Sequence, residues 1–136
     1  MQTMILSRNQ LLHEVARRYV VKGLGGKNFN AIPYDANVVL RAPLCPGGSN
    51  HPLYGKENVR QLWWAPLPSL IGDVKFIDSF VNEDGTAVTA EFHCKILNPS
   101  CTLRIIDRFI VNEEGKIVEQ ENFFDPRYVT DPSSNV

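Results

Sequence analysis

Between residues 73 and 124 the chain reads as four strand-length segments parted by three turn clusters, and this repeat limits the fold more than any other feature. The segments are 73–82, 86–97, 102–112 and 116–124. The clusters hold Asn82 and Gly85, Asn98 and Pro99, and Asn112 and Gly115. Each gap is short enough for a hairpin. Strands joined this way pair with their sequence neighbours, so the second half is expected to form an antiparallel meander.

The first half carries helical signals instead. Ser7 and Gln10 are spaced as a capping box, and Leu6 and Leu11 are placed as a hydrophobic staple. Leu12, Val15, Ala16, Tyr19 and Gly23 recur at helical spacing and form one face. Gly23, Gly25 and Gly26 are expected to stop that helix. A helical turn at 29–33, a short strand at 37–43 and an irregular Gly- and Pro-rich loop at 44–54 should follow. A second helix is expected over 55–64, ended by Pro66 and Pro68. Helices followed by a meander imply an α+β fold, with N-terminal helices packed on one face of a curved antiparallel sheet. One domain is expected over 1–136, with its core at about 7–127 and a polar tail at 128–136.

Composition narrows the function classes. The formal net charge of −1 leaves no basic surplus to neutralise phosphates, so nucleic acid is not an expected partner. No apolar run approaches the roughly 20 residues that span a bilayer, so no membrane association is expected. Met1 to Ser7 lack a basic flank and a long apolar core, which argues against a signal peptide. Cys45, Cys94 and Cys101 are odd in number and lack metal-like spacing. Free thiols in the cytoplasm, with no metal and no cofactor, are the expectation.

A helix-backed, curved sheet tends to enclose a pocket on its concave side. Side chains alternate along strands, so Val88, Ala90, Phe92 and Cys94 share one face. Ile105, Asp107, Phe109 and Val111 share another, as do Val118, Gln120, Asn122 and Phe124. Glu91, His93, Lys95, Glu119 and Glu121 fall on the opposite, solvated side. Asp107 stands out as a carboxylate among Ile, Phe and Val. It must be paired, be protonated or face a cavity. Arg41 or Arg104 would make it an ion pair; a cavity would make it a neutral acid or general base.

Tyr19 could aim its hydroxyl at the same point, giving an oxyanion-type donor pair, or bond a backbone carbonyl. Asn122 could add a polar contact or position a water. His51, in the long loop, is the histidine best placed for acid–base work. Phe92, Phe109 and Trp63 are candidate pocket walls. Arg41 joins them if it faces inward, and is solvated if it does not. Of Trp63 and Trp64, adjacent on a helix, one should pack in the core and the other roof the pocket.

The order of elements, the segment Leu53, Tyr54, Gly55, Lys56, Glu57 and Asn58 opening the second helix, the hairpin from Asp107 to Ile117 and the ending from Glu121 to Pro126 resemble a known superfamily. It is the nuclear transport factor 2-like fold, in its SnoaL-like branch, and the resemblance covers residues 7 to 127. It implies a cone-shaped α+β barrel with a deep pocket, often dimeric through the outer sheet face. The superfamily spans isomerases, dehydratases, epoxide hydrolases, cyclases and pocketless interaction modules, so fold alone does not fix function.

In ketosteroid isomerase a first-helix tyrosine and a strand aspartic acid donate hydrogen bonds to an enolate oxygen. Tyr19 and Asp107 match those settings. That family's carboxylate base falls here on Ala42, a departure. The aspartate–arginine–aspartate cluster of limonene epoxide hydrolase is also unmatched, its last-strand aspartate falling on Asn122. Scytalone dehydratase relies on pocket histidines, and His93 has outward parity. The resemblance implies a cofactor-free isomerase, cyclase or dehydratase acting on a small apolar organic ligand that is cyclic or bears a carbonyl. Its alternatives are a non-catalytic binder of such a ligand and a homodimeric interaction module.

Overall fold

The computed structural model describes residues 6–131. Residues 1–5 and residues 132–136 of the expected polar tail lie outside that range. The chain opens with helix α1 (Arg8–Arg18). Its capping box is complete: the Ser7 hydroxyl accepts from the Gln10 amide at 3.1 Å, and the Ser7 amide donates to the Gln10 side chain at 2.9 Å. The helix does not stop at Gly23. It runs on as a π-helical turn, Tyr19–Leu24. Gly23 serves contact instead: a Cβ there would lie 2.6 Å from Ile32 Cγ1. A 3-10 turn, Phe29–Ala31, follows.

Strand β1 (Tyr34–Arg41) starts three residues earlier than the sequence suggests, and β2 (Leu53–Tyr54) pairs with it antiparallel. Helix α2 (Lys56–Asn58) continues into a second π-helical turn, Val59–Trp64. A short α3 (Leu67–Leu70) leads to the meander β3 (Ile71–Val81), β4 (Ala87–Leu97), β5 (Ser100–Val111) and β6 (Ile117–Phe123). The sheet order is β2-β1-β6-β5-β4-β3, antiparallel except where β1 joins β6 in parallel. Helix α4 (Arg127–Thr130) occupies the start of the segment expected to be a tail.

Period-two burial follows the expected parity on β4 and β5, where Val88, Ala90, Phe92 and Cys94 face in with Ile105, Asp107, Phe109 and Val111. On β6 the expectation is off by one at its start. A bulge lets Ile117 pair with Val111 while Glu119 pairs with Ile110, so Ile117 is buried and Val118 is not. Helix α1 and its π turn cover the inner face, with Leu12, Val15, Ala16, Tyr19 and Val20 in the core. The fold is thus α+β, helices over the concave face of a curved sheet. No helix among the described residues is long and apolar enough to cross a membrane.

Candidate active site

A cavity of about 270 Å³ opens between the sheet and the two π-helical turns. An apolar cavity of about 150 Å³ can hold benzene, so this one has room for a ligand of more than one ring. Leu24, Leu62, Trp63 and Leu67 wall it from the helical side, and Phe92, Leu103 and Ile105 from the sheet. Leu44 and Leu62, both well exposed, lie toward the solvent side. No lysine, arginine or histidine lines it. Its polar side chains are Tyr19, Asp107 and Asn122, with the thiols of Cys45 and Cys94.

Each polar group is delivered by a different element. Tyr19 opens the first π-helical turn, and Trp63 comes from the second. Such turns re-aim side chains that a regular helix would place elsewhere. The Tyr19 ring is clamped by Phe109 edge-on at 4.8 Å, Phe92 at 6.2 Å and Trp63 stacked at 6.5 Å. Asp107 on β5 sits directly opposite Asn122 on β6 and Ala90 on β4. The small Ala90 leaves space beside the carboxyl.

These groups are buried and unsatisfied. The Tyr19 hydroxyl, both Asp107 oxygens, the Asn122 amide oxygen and the Gln120 amide nitrogen have no hydrogen-bond partner. They lie close enough for Asn122, Tyr19 and Gln120 to act on Asp107, so together they form one polar cluster inside an apolar core. Their polar atoms have almost no accessible surface; Tyr19, Asp107 and Asn122 line the cavity, and Gln120 does not. Neither of the expected ion-pair partners reaches Asp107. Arg41 hydrogen-bonds the Ser49 carbonyl at 2.9 Å, and Arg104 is exposed on the outer face.

Without a cation, burial dominates the electrostatics. It pushes the Asp107 carboxyl up to about 7, with Asn122, Tyr19 and Gln120 acting in the opposite direction. Burial, then the neighbouring Asp107, holds the Tyr19 phenol well above its usual value. Both groups therefore carry a proton below neutral pH and can donate it to one acceptor. Cys94 is pushed up to about 12, by burial first and then by Asp107 and Cys101, and burial raises Cys45. Thiols so raised are poor nucleophiles.

Other candidates fall elsewhere. Arg41 alternates with the buried Leu40 and so faces away from the cavity; it is not a pocket wall. The strand is eight residues long, and its earlier start fixes that parity. His51 is exposed in its loop, against Gly47, and does not line the cavity. Phe109 lies behind Tyr19 as support, not as a wall. Trp63 lines the cavity while Trp64 packs into the core. Ala42 is a cavity residue. Among the described residues no cluster could hold a metal ion, and the three cysteines are free.

Two residues of the site were not singled out from the sequence. Gln120 shared the inward parity of Asn122, which was the available signal. Tyr34 precedes the strand expected over 37–43, and its hydroxyl donates to the Gln120 side-chain oxygen at 2.5 Å.

No family model matches the chain, and neither does any curated protein. Solved structures do. A nuclear transport factor 2-like protein from Anabaena variabilis superposes with a TM-score of 0.71 at 16% identity, over 92% of this chain and 96% of that one. A steroid delta-isomerase from Pseudomonas aeruginosa gives 0.63 at 21%, over 98% and 91%. The epoxide hydrolase/cyclase-like enzyme SalBIII, studied in pyran ring formation in the polyether salinomycin, gives 0.67 at 16%, over 87% and 90%. Likeness at this identity speaks to architecture, and the architecture agrees across all three: the chain has the nuclear transport factor 2-like fold.

Proposed function

We propose that this protein binds a small, uncharged, largely apolar ligand and acts on it as a cofactor-independent isomerase, cyclase or dehydratase. One observation carries the reading: the Asp107 carboxyl, fully buried and without a cation beside it, is grouped with the Tyr19 hydroxyl in the lining of an apolar cavity. Two neutral donors converging in a dry site stabilise negative charge that develops on an oxygen. A cyclic or carbonyl-bearing ligand would enter past Leu44 and Leu62. Its oxygen would displace the side chains that cover the floor and accept from Tyr19 and Asp107, with Asn122 as the third contact. The lack of a cationic lining residue disfavours carboxylate or phosphate ligands.

The direct test uses a panel of bicyclic ketones and phenols. Asp107→Asn and Tyr19→Phe should each weaken binding about tenfold or more, the worth of a hydrogen bond in a desolvated site. Unchanged affinity and turnover in both variants would sink the reading.

A second reading is favoured by Ala42. Asp107 is the sole carboxylate among the cavity-lining residues, and no histidine joins it. A single acid with no separate base suits a protein that holds its ligand without converting it. Exchange of the ketone's α-protons in deuterated buffer separates the two, because only an enzyme that forms an enolate accelerates it. We further place self-association on the outer sheet face, where Ile106 and Phe123 sit cross-strand and exposed.

A further inference from the structure

We propose that Tyr34 and Gln120 form a fixed two-residue relay behind the cavity, in which Tyr34 turns the Gln120 amide so that its N–H pair faces Asp107 and governs the proton on that carboxyl. The inference rests on the site reading above and adds a positioning device to it.

The sheet places the three groups in line. β6 runs between β1 and β5, so a β6 side chain can reach both. Gln120 lies opposite Phe109, and Asn122 opposite Asp107. Gln120 is therefore the diagonal neighbour of Asp107 on the inner face, within reach of a long side chain. On its other side Tyr34, at the start of β1, donates its proton to the Gln120 oxygen at 2.5 Å. Both residues are buried, and the Tyr34 ring packs against Phe29 at 5.5 Å.

The bond decides which end of the amide faces the site. With its oxygen occupied by the phenol, Gln120 turns its nitrogen inward, where it is buried and unpartnered. N–H donors beside a carboxyl favour the ionised form; an amide oxygen in the same place would favour the protonated form. Tyr34 thereby selects the orientation that opposes burial. Burial alone would leave Asp107 permanently protonated, able to donate but unable to give its proton up. Asn122 first, then Tyr19 and Gln120, bring the carboxyl back to where it can exchange a proton near neutral pH, and the relay is the part of that effect set by Tyr34. The titratable groups around Asp107 are Tyr19 from the helix, Tyr34 from β1 and Cys94 from β4, all held neutral. Asn122 and the Tyr19 hydroxyl also favour the ionised carboxyl, so the amide adds to their effect, and it alone is turned by Tyr34.

The test is a carbon-13 NMR titration of Asp107 in full-length protein labelled at the aspartate carboxyls, with Asp107→Asn assigning the signal. The variants are Tyr34→Phe, which keeps the ring, and Gln120→Met, which keeps the shape. Each should lower the ionisation constant of Asp107 about tenfold, moving its midpoint up by about one pH unit. The double variant should move it no further than Gln120→Met alone, since the tyrosine acts through the amide. A midpoint unmoved in Tyr34→Phe overturns the relay, and that variant alone decides if Gln120→Met does not fold. The wild-type signal separates the two ideas. A midpoint near neutrality with unmoved variants defeats the relay only, whereas a midpoint in the ordinary aspartate range defeats the site reading and the relay together.

Discussion

Asp107 is held against its ordinary chemistry, and the fold bears a pH-dependent cost for that. Its carboxyl ionises near 3.8 when solvated and at about 7 when buried here. Between those values the folded state holds a proton that the unfolded state has lost. Stability is therefore full below about pH 4, falls as pH rises, and levels off above about pH 7. A shift of this size corresponds to roughly 4 kcal/mol. Asp107→Asn should remove that slope, so urea unfolding at intervals from pH 4 to 8 should give converging wild-type and variant curves in acid and a more stable variant in base. Parallel curves would show that the carboxyl is solvated or paired. Tyr19→Phe makes a complementary case. It deletes a buried hydroxyl that makes no well-formed hydrogen bond and opposes the rise of Asp107, so it should change stability by no more than about 1 kcal/mol while weakening ligand binding. Chemical denaturation of that variant checks the first half, and ligand titration the second.

At the scale of elements, Arg8 ties the helix layer to the sheet. Its guanidinium donates to the carbonyls of Gly85, Val111 and Asn112 at 2.7–2.9 Å. Those carbonyls belong to the β3–β4 turn and to the end of β5 with its following turn, so one side chain fixes the start of α1 over two hairpins. Arg8→Ala should cost about 2–3 kcal/mol in urea unfolding, and Arg8→Lys should recover little, because an ammonium cannot match the planar fork. The elements themselves were legible because apolar residues alternate cleanly from Val88 to Cys94, and because every other residue from Leu103 to Val111 is apolar except Asp107. Parity alone put Asp107 on the inner face with Phe92. It failed where spacing carries no information. The bulge that turns Val118 out and Ile117 in adds one residue with no signature in side-chain type. The start of β1 at Tyr34 was hidden behind Pro33, which concealed the partner of Gln120. His51 sits in an irregular loop, where no period predicts direction, and Gly23 reads as a helix stop although it continues the helix so that Ile32 can approach.

At the scale of the whole molecule, two faces of one sheet divide the work. The concave face holds the cavity, and the outer face mixes charge with the exposed pair Ile106 and Phe123. Self-association through that outer face predicts that Ile106→Asp converts a dimer to a monomer in sedimentation equilibrium, leaving ligand affinity within about twofold because the cavity lies on the other side. Identical sedimentation of both forms would remove the outer face from the account. The resemblance seen in the sequence extended to architecture because that is written in element order. Ligand chemistry was less legible, because it depends on which of several inward polar groups lack partners, and only packing decides that. The central claim is that Asp107 is a protonated donor to a neutral ligand in an apolar cavity. Its most direct test is the affinity of wild type and Asp107→Asn for a bicyclic ketone or phenol whose own charge is constant, measured across pH 5 to 9. The account predicts wild-type affinity that is flat below about pH 7 and falls about tenfold per pH unit above it, with a weaker, flat profile for Asp107→Asn. Wild-type affinity that does not change with pH and survives the substitution would contradict it.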